Sequence, residues 1–290
     1  MDGSSIDIDK SKVVVIGGGI TGRLVQACIP HAKVLDWIKQ PKPGRNLTRM
    51  YGANYLWKPL QGIECRKFTV ITHVDGVAAN YESIRRYKEK IGKTFDQAHW
   101  DAQFKTVMEG YDIVSMPDAN ISYECRVKEI FLKDKRILLS TGVDIEYDIL
   151  ISTIPLYALM DMCNIPQKRP FQYKPIFIRI EDRPLEAPYP PTTWYVNYVS
   201  DPDVPPYRYT DRDGKRHYEG LTGMGKIPTR KISPGKIYPN PVAPVILESL
   251  ERENIFCFGR FARWDPEELL HTTYDSIRDW IQTNGSMPQV

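Results

Sequence analysis

The stretch KVVVIGGGITG, residues 12–22, decides the fold of this chain. Its first part holds four consecutive β-branched residues, Val13–Ile16, which are typical of a strand buried on both faces of a parallel sheet. Gly17, Gly19 and Gly22 follow at once with the spacing G-x-G-x-x-G. In that motif the first glycine makes a tight turn, the second lets a pyrophosphate reach the backbone, and the third lets a helix pack closely on the strand. The stretch therefore predicts a strand, a phosphate-binding turn and the start of a helix.

The residues after this turn complete a βαβ unit. A short helix that includes Ile20 and Thr21 is predicted to end before Pro30, and the residues 32–35 predict a second strand. Asp36 ends that strand, nineteen residues after the first glycine of the motif, where an acidic side chain accepts hydrogen bonds from a ribose. We therefore predict that this unit binds a dinucleotide; the alternative is a glycine-rich turn without a ligand.

The composition is that of an ordinary globular chain. Of its 290 residues, 42% are hydrophobic and 26% are charged, and the formal net charge of +3 demands no nucleic-acid partner. No run of eighteen apolar residues is present and residues 1–12 are polar, so the sequence predicts neither a membrane-spanning helix nor a secretory signal. Five scattered cysteines without a C-x-x-C pair fit a reducing compartment. We therefore expect a cytoplasmic protein without a membrane association.

Two changes of pattern along the chain predict further parts. Helical spacing of apolar side chains predicts two helices after residue 77, one through Ile84 and Tyr87 and one through Trp100 and Met108. Tyrosines, prolines and short alternating runs then predict an antiparallel layer. The predicted fold class is α/β. A Rossmann-like domain is predicted from three stretches, 1–76, 119–165 and 246–290. A helical insertion, 77–118, and an antiparallel β substrate domain, 166–245, complete the chain.

The C-terminal stretch NIFCFGRFARWDPEEL, residues 254–269, resembles the first βαβ unit in its order of apolar and glycine-containing segments. It predicts a strand, a Gly-Arg turn and a helix. Asp265 is the predicted N-cap of that helix, Pro266 suits its first position, and Glu268 completes a capping box. The predicted helix start points unpaired N–H groups at whatever lies before it.

Four segments in order along the chain resemble FAD-binding oxidoreductases of the flavin amine oxidase and UDP-galactopyranose mutase type. They are the βαβ unit that ends at Asp36, the turn with Gly44 and Arg45 that leads into RMYGANYLW (49–57), YDILISTIPLYAL (147–159) and the C-terminal stretch 254–269. Pro43 stands where the family has the first glycine of a G-G-R turn. The resemblance covers the cofactor framework well and the substrate region loosely.

The resemblance implies that FAD lies extended, with its pyrophosphate on the glycine turn and its isoalloxazine between two domains. It also implies flavin-centred chemistry, so no catalytic side chain is assigned. The residues expected to hold FAD are Gly17, Gly19, Ile20, Thr21, Gly22, Asp36, Trp37, Gly44, Arg45, Tyr51, Gly52, Gly259, Arg260, Glu268 and Leu269.

The resemblance extends to the stretch WYVNYVSDPDVPPYRYT, residues 194–210. In the mutases the matching arginine engages the substrate diphosphate, which implies that Arg208 binds substrate together with Tyr207; Trp264 is expected to contact substrate as well. The alternative is an arginine that is solvated on a tyrosine-rich strand. On a regular strand, Tyr207 and Tyr209 would lie on the face opposite Arg208.

Two clusters of basic residues lie among tyrosines, one in residues 205–240 and one in residues 85–93. Such clusters hold a nucleotide or follow a nucleic-acid backbone; the alternative is a solvated charged face. The five histidines lie far apart without ligand spacing, so no metal site is predicted. His73 is either a neighbour of the flavin or, like most lone histidines, a structural residue.

Three functions follow from these observations. The first is an FAD-dependent oxidoreductase that oxidises a C–N bond of an amine or amino-acid-like substrate, either a small molecule or one linked to a nucleotide or phosphate. The second is a redox-neutral mutase of a sugar nucleotide, as the mutase resemblance implies. The third is a flavin-fold protein that binds nucleic acid without turnover. Arg208 favours the second, whereas a flavin fold by itself favours none.

Overall fold

A computed structural model describes residues 8–40, 55–92, 107–116, 120–167, 169–182, 190, 192–224 and 229–284. Within these residues the strands, in chain order, are β1 Val13–Ile16, β2 Lys33–Leu35, β3 Glu64–Val74, β4 Val77–Ala78, β5 Val107–Ser115, β6 Ile121–Ser122, β7 Val127–Phe131, β8 Arg136–Leu139, β9 Asp144–Glu146, β10 Ile149–Ser152, β11 Tyr173–Asp182, β12 Thr193–Tyr198, β13 Pro206–Arg212, β14 Lys215–Gly220, β15 Arg230–Ile237 and β16 Ile255–Cys257. The helices are α1 Ile20–Cys28, α2 Tyr81–Lys90, α3 Leu156–Met162, α4 Ala243–Glu251, α5 Arg260–Arg263 and α6 Leu270–Asn284. None of these helices has both the length and the apolar character that crossing a bilayer requires.

The chain divides into two compact units. The first unit comprises Met1–Thr48, Ser115–Gln172 and Ile237–Val290, and the second comprises Arg49–Val114 and Tyr173–Lys236. The first unit is thus assembled from three stretches, but residues 49–76, predicted in the Rossmann-like domain, belong to the second unit. The reason is β3, which forms its hydrogen bonds with β12 of the second unit.

The first unit is built on a five-stranded sheet in the order β16-β10-β1-β2-β6. Its neighbouring strands all pair in parallel. The central strand β1 is buried along its whole length, as its β-branched residues predict, and α1 connects it to β2. A parallel sheet with a helical crossover is a Rossmann-like α/β fold, so the predicted fold class is confirmed.

A second layer of the first unit is the antiparallel meander β7-β8-β9. Its inward residue Ile137 belongs to the same hydrophobic core as Val14 and Leu150 of the parallel sheet and Leu156 of α3. The core therefore packs one face of the meander together with the sheet and the helix, while polar residues of the meander alternate outward.

The second unit is built on an eight-stranded sheet in the order β15-β11-β14-β13-β12-β3-β4, with β5 paired to β3. The neighbouring strands in the order β11-β14-β13-β12 all pair in antiparallel fashion, as the composition of residues 166–245 predicts. β12 and β3 pair in parallel, so the sheet is mixed. On one face, Ile84 and Tyr87 of α2 pack with Val74 and Tyr207.

The predicted helical insertion differs from the structure. α2 is present and begins after Asn80, whose side chain accepts the N–H of Ser83 at 2.9 Å. Residues 93–106 lie outside the described residues, and Met108, predicted on a second helix, lies in β5 instead. A Cβ on Gly110 would come within 2.7 Å of side chains of β3, so β5 lies tightly against that strand. Strand pairing therefore overrides the helical spacing of this segment.

The C-terminal helix α6 begins later than predicted. Asp265, the predicted N-cap, closes a turn in which its carboxylate accepts a backbone N–H two residues further on, at 2.9 Å. At the actual start, Thr272 Oγ1 accepts the N–H of Leu269 at 3.0 Å. The predicted capping box with Glu268 is therefore wrong, because the turn that follows the left-handed Trp264 occupies these residues.

Candidate functional site

The backbone geometry of the chain explains why the first and third residues of the motif, Gly17 and Gly22, are glycines. Gly17 has φ +105°, which favours glycine, and donates its N–H to Leu35 O at 2.9 Å. A Cβ on Gly22 would overlap the carbonyl oxygen of Gly17, so glycine lets α1 start this close to β1. Thr153 Oγ1, just beyond β10, lies within hydrogen-bonding distance of the carbonyl oxygens of Gly17 at 3.0 Å and Ile16 at 3.1 Å. The turn is thus held from both neighbouring strands.

Gly19 is different, because among the described residues nothing beyond its chain neighbours and its own helix lies within 4 Å of the position that its Cβ would take. It is the N-cap of α1 without a side-chain cap, and the first turn of α1 carries no acidic residue. The first backbone N–H groups of a helix have no acceptor within the helix and bind anions. The start of α1 therefore has the backbone donors that a pyrophosphate requires, and no described side chain stands close in front of Gly19.

Asp36 lies beside this turn, directly after β2. Its side chain is buried and packs on Gly18, where a Cβ would overlap the carboxylate. Burial raises the pKa of Asp36, while hydrogen bonds from the backbone of Ile38, Trp37 and Gly18 and the charge of Arg23 lower it. A carboxylate oriented by backbone donors keeps lone pairs for the hydroxyl groups of a ligand. Trp37, the next residue, is 71% exposed.

The C-terminal motif lies against the same turn. Gly259 has φ +95°, and a Cβ there would come within 3.1 Å of Thr21 Oγ1 in the first turn of α1. Arg260 donates its Nε–H to the carbonyl oxygen of Glu268 at 3.0 Å. Glu268 is buried; its Oε1 accepts the hydroxyl of Thr273 at 2.8 Å, and its Oε2 has no partner among the described residues. Burial raises the pKa of this carboxyl group.

These residues fit the cofactor that the resemblance implies. The start of α1 suits a pyrophosphate, Asp36 suits a ribose, and the half-paired carboxyl of Glu268 suits a hydroxyl group. Of the residues predicted to hold FAD, the first unit contains in this region Gly17, Gly19, Ile20, Thr21, Gly22, Asp36, Trp37, Gly259, Arg260, Glu268 and Leu269. The predictions for Gly44, Arg45, Tyr51 and Gly52 lie outside the described residues.

Trp264, predicted to contact substrate, lies in the core of the first unit instead. It is 2% exposed, and its indole N–H donates to the carbonyl oxygen of Tyr238 at 2.9 Å. The rings of Tyr157 and Phe171 pack edge to face against it, with centroids 5.8 and 4.9 Å away. Burial of the ring and use of its one donor make Trp264 a packing residue.

Arg208 carries its own counter-ion. Its Nε and Nη2 donate to Glu219 Oε1 and Oε2 at 2.8 and 2.6 Å across the β13–β14 pair. Tyr207 donates its hydroxyl to the same carboxylate at 3.2 Å, so the prediction that Tyr207 lies opposite Arg208 is wrong. The register shifts between Pro206 and Arg208, and this irregularity brings both side chains to one face. The structure thus groups Arg208 with Tyr207, but with a buried carboxylate that competes with a substrate phosphate.

Many cations of the two basic clusters are engaged within the second unit. In α2, Arg85 pairs with Glu82 and Glu89, and Lys90 donates to the carbonyl oxygen of Val204 at 2.8 Å. In the later cluster the pairs are Arg208–Glu219, Arg212–Asp112, Lys215–Asp182 and Arg216–Asp211. Paired charges attract a polyanion less than their number in the sequence indicates.

A row of polar aromatic side chains on the sheet of the second unit is a feature that the sequence does not predict. His73 Nδ1 lies 3.0 Å from the hydroxyl of Tyr195, and the ring centroids of Tyr195 and Tyr209 are 6.0 Å apart. Burial raises the pKa of Tyr209, while Arg216 and a hydrogen bond with Tyr195 lower it. Arg216 lies over the ring of Tyr209, 4.5 Å from its centroid, and pairs with Asp211. β12 and β13 are successive strands, but β3 is distant from both in sequence, so only the pairing of β3 with β12 brings His73 to this row.

In the part of the chain that the structure describes, no three His, Cys, Asp or Glu side chains lie close enough together to hold a metal ion. The two groups of interest are therefore the glycine turn with its neighbours in the first unit and the row His73, Tyr195 and Tyr209 in the second.

Known proteins resemble this chain in structure. No protein-family model and no curated protein sequence matches it. The solved structure of reduced UDP-galactopyranose mutase matches with a TM-score of 0.59 at 13% identity, covering 94% of this chain and 96% of that one. The CLA-producing fatty acid isomerase from P. acnes matches with 0.54 at 12%, covering 94% and 98%, and P. aeruginosa PqsL in complex with 2-aminobenzoylacetate with 0.53 at 11%, covering 95% and 88%. At these identities the likeness shows a shared fold.

Proposed function

We propose that this chain is an FAD-dependent oxidoreductase that oxidises a C–N bond of an amine or amino-acid-like substrate. The observation that supports the proposal most is the contact of Gly259 with Thr21 at the glycine turn. That contact brings together the first and the last of the four segments that carry the family resemblance. A turn without a ligand requires neither the clear approach at Gly19 nor a second glycine of positive φ beside the helix start.

In this proposal the first unit holds FAD mainly with backbone groups. The start of α1 binds the pyrophosphate, Asp36 accepts hydroxyl groups of the adenosine ribose, and Glu268 offers its second oxygen to a hydroxyl group of the cofactor. When bound, FAD supplies the hydride acceptor for oxidation of a C–N bond.

An alkylamine is protonated at neutral pH, with a reference pKa of about 10.4, and its nitrogen needs a lone pair before the neighbouring carbon gives up a hydride. The pH dependence of flavin reduction is therefore expected to include the loss of this proton.

The cofactor is tested first. The purified full chain is expected to be yellow, and heat denaturation is expected to release FAD, identified by chromatography against FAD and FMN standards. A colourless protein that takes up no FAD on titration contradicts the proposal.

The reaction is tested by anaerobic mixing with a panel of primary amines, secondary amines and amino acids. A substrate is expected to bleach the flavin band and to yield an aldehyde or keto acid, with hydrogen peroxide after air is admitted. A protein that is reduced by dithionite alone, and then interconverts the ring forms of a sugar nucleotide, contradicts this reaction and supports the mutase alternative. That alternative depends on Arg208, whose guanidinium is already paired with Glu219.

A further inference from the structure

A groove of the first unit lies between the meander and α3, which packs against β7. Its volume is about 420 Å³, within the range of roughly 300–1,000 Å³ that is typical of small-molecule sites. Ala158 and Met162 of α3 form an apolar part of its wall. The two side chains are one helical turn apart, so they share a face of α3, and both are half-buried. The groove therefore offers a small apolar surface to a ligand.

Two cations line the meander side of this groove. Arg126 directly precedes β7 and Lys128 lies within it, so their Cα atoms are about 7 Å apart. Both residues are exposed, and within the described residues neither the guanidinium nor the ammonium takes part in an ion pair or a hydrogen bond. By contrast, Arg136 of the same meander lies 2.7 Å from Asp144. Two neighbouring cations without a counter-ion attract an anion more strongly than a face of mixed, paired charges does.

A β-bulge places Lys128 beside the groove. The register of β7 against β8 shifts between Val127 and Glu129, so Lys128 is the extra residue of β7. Val127 and Ile130 both belong to the core although they are three positions apart, which regular alternation would not allow. Bulges change the direction of single side chains and are common next to functional sites. The exposure of Lys128 at the groove therefore follows from a local irregularity of the strand.

We propose that this groove binds a small organic phosphate monoester, with its phosphate at Arg126 and Lys128 and its organic part on Ala158 and Met162. A phosphate monoester carries a charge of about −1.5 to −2 at pH 7, which matches two unpaired cations better than the single charge of a carboxylate does. Arginine offers a planar pair of donors to phosphate oxygens, and lysine offers a compact charge.

The other polar groups of the groove orient such a ligand. Ser140 donates its backbone N–H to the carbonyl oxygen of Arg126 at 2.8 Å, which holds the backbone of Arg126 against the end of β8. Asp161, on the α3 side, accepts the Nε2–H of Gln167 at 2.8 Å on one carboxylate oxygen. Its charge repels the phosphate toward the meander, and its other oxygen suits a hydroxyl group of the organic part. The inference goes beyond the proposed function and does not depend on it, because the groove contains no residue of the glycine turn.

The experiment is isothermal titration calorimetry of the full chain with phenyl phosphate, inorganic phosphate and benzoate, at about pH 8, where the phosphates are dianions. Phenyl phosphate is expected to bind about tenfold more tightly than inorganic phosphate, which lacks the apolar part, and than benzoate, which carries one charge. Its affinity is expected to fall as salt is added, because the two cations are exposed.

Variants locate the site. Arg126→Gln and Lys128→Gln are each expected to weaken phenyl phosphate about tenfold, the scale of one hydrogen bond to a charged group. Lys133→Gln removes an exposed lysine of the same meander outside the groove and is the matched control, expected to leave the affinity unchanged. Ala158→Leu fills the apolar part while both cations remain, and it is expected to weaken phenyl phosphate. If circular dichroism shows that Ala158→Leu fails to fold, Met162→Gln tests the same contact.

Four results would overturn the proposal. They are no binding of phenyl phosphate to the wild-type chain, equal binding of all three probes, unchanged affinity in the double variant of Arg126→Gln and Lys128→Gln, and an equal loss in Lys133→Gln. Gly19→Val separates this groove from the glycine turn, because it is expected to lose the flavin and to keep its affinity for phenyl phosphate. A loss in Gly19→Val without a loss in Lys128→Gln would place the phosphate at the turn and refute the groove. A colourless wild-type chain that binds phenyl phosphate refutes the proposed flavin alone.

Discussion

The glycine turn of the first unit and the aromatic row of the second unit are built in opposite ways. The turn offers mainly backbone groups, and the distances between its glycines follow from a six-residue motif at the end of one strand. The row offers side chains: Tyr195 and Tyr209 lie on the successive strands β12 and β13, and His73 lies on β3, 122 residues before Tyr195. Backbone sites are therefore specified by local spacing, whereas side-chain sites are specified by strand register.

The largest expected loss of stability comes from breaking a side-chain contact, the buried ion pair between Arg208 and Glu219 in the second unit. Glu219→Ala is expected to lower the free energy of unfolding by about 3–5 kcal/mol, because Arg208 and Tyr207 lose their shared acceptor in a buried place. Urea denaturation monitored by circular dichroism measures it. Lys215→Ala, which removes an exposed ion pair on the same sheet, is the control and is expected to cost at most about 1 kcal/mol. Equal effects of the two variants would contradict the argument from burial.

The third glycine of the motif, Gly22, tests how far the turn depends on backbone contacts. Gly22→Val is expected to lower the free energy of unfolding by about 3 kcal/mol, because its Cβ would overlap the Gly17 carbonyl oxygen and neither backbone can move away. The matched control is Gly19→Val, whose Cβ meets no other described residue within 4 Å apart from its chain neighbours and its own helix, so its cost is expected to be about 1 kcal/mol or less.

The same two variants separate structure from binding. Gly19→Val is expected to remain folded and to lose its flavin, because a side chain there stands in the approach of the pyrophosphate. Absorbance of the purified variant at the flavin band measures this. A yellow Gly19→Val protein would mean that the turn serves the fold alone.

The aromatic row gives a smaller effect. Tyr195→Phe is expected to cost about 1 kcal/mol for one hydrogen bond, and to raise the pKa of Tyr209, since the hydrogen bond with Tyr195 lowers it. NMR of ¹³C-labelled tyrosine rings follows the titration. Tyr173→Phe, on the exposed part of β11, is the control and is expected to leave the pKa of Tyr209 unchanged. An unchanged pKa of Tyr209 in Tyr195→Phe as well would contradict the hydrogen bond between the two tyrosines.

Glu268 gives the smallest effect, a dependence of stability on pH. Because burial raises the pKa of Glu268, its ionisation opposes folding. Stability is therefore expected to rise as pH falls through the folded pKa toward the unfolded value of about 4.3, below which the contribution is constant. Thermal melting of the cofactor-free chain measures this trend against Glu268→Gln, in which this part of the pH dependence should vanish. A variant with the same profile as the wild type would show that Glu268 ionises without cost.

The fold and the backbone part of the site could be predicted from sequence because their signals are local. Val13–Ile16 is buried along its length, and Gly17 and Gly22 have the geometry that their spacing predicts. The positive φ of Gly17 and the close approach of Gly22 to the Gly17 carbonyl oxygen involve residues of one short motif, so the spacing of the glycines specifies them.

The side-chain contacts could not be predicted, because they depend on residues that are distant in sequence and meet only in the folded chain. The pairing of Arg208 with Glu219 and the position of Tyr207 follow from a register shift that no composition reveals. Met108 lies on a strand because β3 is beside it, and Trp264 is buried because the rings of distant segments surround it. In each case tertiary contacts decide between conformations that the local sequence leaves open.

The hydroxyl of Thr153 at the glycine turn has a consequence for the order in which the molecule is made. The turn is synthesised before β10, and the hydroxyl within reach of the Gly17 carbonyl oxygen lies 136 residues further along the chain. Until β10 emerges from the ribosome, β1 has β2 on one side and an open edge on the other. Contacts of such long sequence separation form slowly. A nascent chain therefore carries the whole glycine motif long before it has a finished turn, and its apolar central strand needs protection during that interval.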